Sequence, residues 1–152
     1  MKRFSMLRCS CALVFAVVPA LVLASASDQD AIHYREAVMK TLNEQAAALG
    51  QIASGVIPAD NLVAHMQILA LTASTALIAF KPKVAGGKAK PEVWSDWPDF
   101  SKRMMAFAQE TAKGVKIAKE QGVNGALPAI IAYANDCKAC HNMYRQNKKG
   151  EH

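Results

Sequence analysis

The chain has 152 residues, 52% hydrophobic and 20% charged, with a formal net charge of +6. That length accommodates one domain with a modest core. Nothing in the sequence resembles a nucleic-acid module, and much of the positive charge sits at the extreme N-terminus, where Lys2, Arg3 and Arg8 meet no acidic residue.

Those cations precede an apolar run from Cys11 to Ala24 that ends in small residues, the pattern of a cleaved secretory signal peptide. Cleavage is expected after Ala26, with Ala24 as the other candidate. The run falls short of the ~20 apolar residues that a spanning helix needs, so no stable membrane insertion is expected after cleavage. Two units follow: residues 1–26 as the leader and residues 27–152 as the mature domain, placed in the periplasm. The mature part carries 15 Lys plus Arg against 12 Asp plus Glu. Lys81, Lys83, Lys88 and Lys90 cluster in it, as a solvated loop or as a docking patch for an acidic partner.

Four amphipathic segments answer to helical spacing, and no strand alternation competes. The first runs from about Gln29 to Leu49 with Ile32, Met39, Leu42 and Ala46 on its stripe and Gly50 as a stop; Arg35 shares the stripe, an odd place for a cation. Asp60 is the expected N-cap of the second, which carries Leu62, Met66, Leu69, Ala73, Leu77 and Phe80 and ends before Lys81-Pro82. Residues 81–97 form one long connection with Gly86-Gly87, Trp94 and Trp97, and loops of this length often cover something. The third helix, opened by Pro98 and Asp99, aligns Phe100, Met104, Phe107, Thr111 and Val115 and stops near Gly122; Gly114 inside it either permits close backbone approach or weakens the helix. The fourth starts near Pro128 and passes through Ile131, Ala134, Cys137, His141 and Tyr144. Four such helices predict an all-α, antiparallel four-helix bundle. The Ala-rich faces would either draw the helices close or leave room for a ligand.

Removing the leader leaves Cys137 and Cys140 as the only cysteines, in a chain bound for an oxidising compartment. A disulfide between helical residues three apart would be strained. On a helix, Cys137, Cys140 and His141 project toward a common volume. Cys-x-x-Cys-His is the attachment signature for c-type haem. Zinc would need four ligands, whereas His33 and His65 are isolated and His152 lies in a polar tail. A redox dithiol would call for strand–helix alternation, which is missing.

With "HYREAVMK" opening the first helix, "KPEVWSDWPDF" before the third and "CKACHNMYR" in the fourth, the chain resembles the class II c-type cytochromes, comprising cytochrome c prime and its six-coordinate, Met-ligated relatives. The resemblance implies a four-helix bundle with one covalently bound haem c per chain near one end. It implies Cys137 and Cys140 as thioethers, His141 as the proximal axial ligand, and Arg35 and Arg145 near the haem propionates. The residues alone leave Arg35 free to snorkel to solvent, and Arg145 free to be an ordinary surface residue. Asn142 and Met143 stand where many relatives carry acidic residues.

Met39 matches the family position over the distal side of the haem. The leading expectation is a periplasmic one-electron carrier between redox partners, with Met39 as a tentative distal ligand; the alternative, with Met39 as simple packing, is a five-coordinate centre that binds nitric oxide or carbon monoxide. Met66, Met104, Met105 and Met143 are expected in the core or on the surface, and His65 partly exposed. No nucleophile or acid–base pair accompanies the motif, which argues against an enzyme. Family members often pair through their first two helices, so a homodimer is a further possibility that the Ala-rich outer faces neither require nor exclude.

Overall fold

The computed structural model describes residues 27–146; the expected leader, residues 1–26, and the polar tail lie outside the described residues. Helix α1 (Asp28–Ala53) begins at a capping box: Ser27 accepts from the Asp30 amide while the Asp30 carboxylate takes the Ser27 amide, and Asp28 and Asp30 suit the positive end of the helix dipole. Arg35, Leu42, Leu49 and Ile52 form its buried face. The helix runs through Gly50, the expected stop, for one turn more. It ends where Gly55, at φ 73°, donates to the Ile52 carbonyl and Val56 donates to that of Gln51, the paired bonds of a Schellman cap. Burial of Leu49 and Ile52 outweighs the cost of an interior glycine, about 1 kcal/mol.

Asp60 does not cap the second helix. It lies in a short 3₁₀ turn, Ala59–Asn61, and α2 (Leu62–Ala76) follows without a side-chain cap. Its buried face is Leu62, Met66, Leu69, Ala73 and Ala76, a continuous helical stripe that packs against α1 and α4. The stretch Ala59–Phe80 is long and apolar enough to cross a membrane by composition, and here that stripe is used in the bundle core. A 3₁₀ segment, Leu77–Phe80, leads into the long connection, which contains the short helix α3 (Glu92–Ser95).

The remaining helix α4 spans Trp97–Tyr144, with Pro98 in its first turn, and is broken at Gly122, whose φ 63° and ψ −157° are not helical. Two hydrogen bonds show that the chain folds back there: Tyr144 Oη donates to Asp99 Oδ2 at 2.7 Å, and Tyr133 Oη to the Glu110 carbonyl at 2.8 Å. Both pairs are centred on the same point beside Gly122, as antiparallel arms require. The second arm begins directly after Gly122, ahead of the start expected at Pro128, and Ala126 is already fully buried there. With α1, α2 and the two arms of α4, the molecule is the expected four-helix bundle. Among the described residues there is no strand, only isolated bridges at Gly86–Ala89 and Ala89–Arg145.

The small residues have both of the consequences foreseen for them. At mid-bundle the arms of α4 and α2 meet closely, since a Cβ on Gly114 would fall onto the Tyr133 hydroxyl and lie 2.6 Å from Met66 Cε. Toward the termini of α4 a cavity opens instead. Gly114 therefore serves close approach. Gly114→Ala should lower stability by about 1–3 kcal/mol, the usual cost of overpacking, in spite of a helix-propensity gain of up to ~1 kcal/mol. Thermal denaturation checks this, with partial recovery expected when Tyr133→Phe is added; a Gly114→Ala protein as stable as the parent would contradict it.

Candidate functional site

The cavity holds about 460 Å³, within the size range of small-molecule and cofactor sites. Its α1 wall consists of Arg35, Glu36, Met39, Lys40 and Asn43, which recur at helical spacing. Phe80, Val93 and Phe100 supply an apolar wall, and Met104 a second thioether. The last helical arm contributes Cys140, His141, Tyr144 and Arg145, while Lys88 and Ala89 of the long connection complete the lining.

His141 is the lone imidazole in that lining. Burial, and then the neighbouring Arg145 charge, hold its pKa below the ordinary histidine value, so the ring stays neutral and keeps a lone pair for a metal. Cys140 lines the cavity. Cys137 is half-buried one turn earlier and outside the lining, so the structure brings two of the three motif residues to the wall and leaves the third adjacent in the chain. No disulfide joins the two cysteines. Burial is the main cause that raises both thiol pKa values. Among the described residues no group of three or more His, Cys, Asp or Glu side chains is placed to hold a metal ion.

Arg35 does not snorkel; it is 2% exposed. Its Nη1 donates to the Val84 carbonyl at 3.3 Å and its Nη2 to that of Gly86 at 2.9 Å, and the guanidinium lies over the rings of Phe80 and Trp94, 5.5 and 5.2 Å from their centroids. Burial pulls its pKa down, with Glu36 opposing. No carboxylate forms an ion pair with it among the described residues. A buried cation bordering a cavity without a paired anion fits a ligand that brings its own carboxylate.

The long connection is a strap across this end of the bundle. The Lys90 amide donates to the Tyr144 carbonyl at 2.9 Å, and the Gln146 amide to the Lys88 carbonyl at 2.8 Å. Lys90 Nζ donates to the Asn142 carbonyl at 3.0 Å. Trp94 Nε1 donates to the Phe80 carbonyl at 2.9 Å. Gly86 and Gly87, both at positive φ, pack so closely on Ile32 and Glu36 that a Cβ at either would overlap a side chain. The strap thus fixes the turn that carries His141. From the other side Tyr144 packs edge-on against Phe100 at 5.1 Å, and Asp99 accepts both the Tyr144 hydroxyl and Arg103 Nε.

Met39 lines the cavity, as expected from its place on the α1 stripe. His65 is partly exposed and bonded to Gln45 at 2.8 Å, away from the cavity. Met66 is core, and Met105 and Met143 are exposed. Met104, Phe100 and Phe80 were legible as apolar stripe positions, though nothing in their spacing separates cavity wall from core. Lys88 was legible as one of a lysine cluster and not as cavity lining, and Ala89 gave no local signal.

Comparison with known proteins gives the family. Residues 30–145 match the sequence profile of the family described as Cytochrome C'. A cytochrome c' of Alcaligenes xylosoxydans xylosoxydans is 28% identical over 125 residues, covering 81% of this chain and 98% of that protein. Cytochrome c-556 of Agrobacterium tumefaciens (strain apple 185) is 31% identical over 119 residues, covering 75% and 93%. A nitric oxide complex of a cytochrome c prime variant from Alcaligenes xylosoxidans superposes with a TM-score of 0.75 at 27% identity, covering 82% of this chain and all of the other. The chain belongs to the cytochrome c' family and carries one covalently bound c-type haem.

The phenols provide a test of the site's packing. Burial raises the Tyr144 pKa to about 12, with the Asp99 hydrogen bond adding to it, and burial raises that of Tyr133 to about 12, with Glu110 adding. Both exceed the unfolded value of about 10, so the folded state keeps protons that the unfolded state loses. Their stabilisation is complete below pH 10 and disappears as pH rises toward 12. Ultraviolet titration should show two of the three tyrosines ionising only with alkaline unfolding; ionisation of both near pH 10 with the helices intact would contradict the burial.

Proposed function

We propose that the chain is an exported, periplasmic haem protein in which His141 is the protein's one axial ligand and the other face of the iron is left open to nitric oxide or carbon monoxide. The bound haem supplies an iron that takes up one electron or a small diatomic gas. Cys137 and Cys140 tether the group, and neutral His141 offers its lone pair. Arg35 and Arg145 receive the propionate carboxylates, one from a buried and fixed position and one at the cavity edge. Met39, Phe80 and Val93 line the same cavity and would limit what reaches the iron and keep bulk water out.

The observation that carries this reading is the cavity lining, in which His141 is the lone imidazole and no second histidine nitrogen faces it. Solved relatives described as a nitric oxide complex and as a carbon monoxide-bound variant support it. A second reading is favoured by one feature, the Met39 thioether on the cavity wall. Ligation by Met39 would make the protein a six-coordinate electron carrier.

Optical spectra of the reduced protein before and after carbon monoxide separate the two. A high-spin spectrum that shifts on addition of the gas is expected. Met39→Ala should leave the resting spectrum unaltered and speed gas entry. A low-spin spectrum indifferent to carbon monoxide, converted to high spin by Met39→Ala, would overturn the gas-binding reading in favour of the carrier.

A further inference from the structure

Two segments border the mouth of the cavity, the strap at residues 81–91 and the end of the last helix at residues 137–146. They hold Lys81, Lys83, Lys88, Lys90, Lys138 and Arg145, and neither contains a carboxylate. Residues 27–152 carry fifteen cations and twelve carboxylates in all; Glu92 and Asp136 flank these two segments and Asp99 lies against Tyr144, so the six cations form two acid-free runs within a mixed surface. The described ion pairs join Lys40, Arg103, Lys113 and Lys116 to their acids and none involves these six; with Arg145 assigned to a propionate, the five lysines remain for a partner. Glu36, at the α1 edge, is the one carboxylate in the cavity lining.

This is not a loose solvated loop. Arg35 holds the carbonyls of Val84 and Gly86, the Lys88 carbonyl accepts from Gln146, and the Lys90 ammonium reaches the carbonyl of Asn142, next to His141. Lys88 and Lys90 are therefore set in place at the cavity edge before any encounter, with Lys81 and Lys83 exposed on the same strap. Carbon monoxide binds ferrous haem, so the protein needs a source of one electron for a ferric iron, and a fixed cationic rim steers an oppositely charged donor to that edge.

We propose that the strap, with Lys138, is the docking face for an acidic one-electron carrier protein that reduces the haem across the cavity mouth; this rests on the haem reading above. One electron leaves the partner's redox centre, which is oxidised, and enters the ferric haem, which becomes ferrous; no bond is made or broken and no proton moves. The face requires a carboxylate-rich surface around the partner's exposed redox centre.

The test uses the full mature, haem-loaded protein and stopped-flow reduction by a reduced plant-type ferredoxin, an acidic one-electron protein. The rate should fall at least about tenfold as salt screens the encounter. Lys81→Glu/Lys83→Glu/Lys138→Glu should lower the low-salt rate by about tenfold or more. Lys116→Glu/Lys119→Glu, at the far end of the first arm of α4, should change it little. Reduction of the strap variant by hexaammineruthenium(II), a small cation, should be undiminished, which shows its haem intact.

Salt-independent reduction by ferredoxin, or equal losses in the two variants, would overturn the proposal. So would lysine-dependent binding to phosphatidylserine vesicles with an unaffected ferredoxin rate, since the patch would then serve a membrane surface. A protein with no visible absorption, giving no signal with either reductant, would strike down the haem reading itself and this proposal with it.

Discussion

The arrangement depends on one buried cation. Arg35 sits on the inward face of α1 without a carboxylate partner, and a guanidinium in that position is tolerable only because two strap carbonyls and two aromatic faces surround it. The same contacts bring Val84 and Gly86 onto α1, and the strap's other end onto the turn that holds His141. First helix, strap and last helix therefore meet around one charge, and the cavity lies where they meet. A ligand with its own carboxylates completes that arrangement, as a haem does.

Packing divides the bundle into two regimes. Where Gly114 and small buried residues such as Ala73 and Ala118 occur, the helices approach until a single methyl group would collide with Tyr133. Toward the termini of α4, Phe80, Trp97, Phe100 and Tyr144 stack at centroid distances between 4.9 and 5.7 Å and hold the helices apart around the cavity. Rigid aromatic walls keep such a space open, since each ring gives up substantial packing area if it collapses inward.

Much of this was legible in the sequence because it is local. The four stripes recur at helical spacing, the cysteines and histidine occupy five consecutive positions, and Arg35 stood out as a cation among apolar neighbours. Helix boundaries were less legible. Gly50 looks like a stop, yet burial of Leu49 and Ile52 carries the helix on to Gly55, and the last arm starts ahead of Pro128, with Ala126 already buried. Ser27, at the expected cleavage boundary, is an N-cap hidden in the sequence by the small-residue pattern of the leader's end. The strap's ladder to Tyr144 and Gln146, and the Asp99–Tyr144 bond, join residues more than forty positions apart and leave no mark in any window of sequence. The lysines of the strap were visible as a cluster; the fixed placement of Lys88 and Lys90 at the cavity mouth was not.

The account rests on a porphyrin tethered at the end of the last helix, and one experiment addresses that most directly. Mass spectrometry of proteolytic fragments from exported protein, matured in a host with haem-attachment machinery, should find the fragment spanning residues 137–141 heavier by one haem, with neither cysteine open to alkylation. A fragment of unmodified mass with two alkylated thiols would contradict the account.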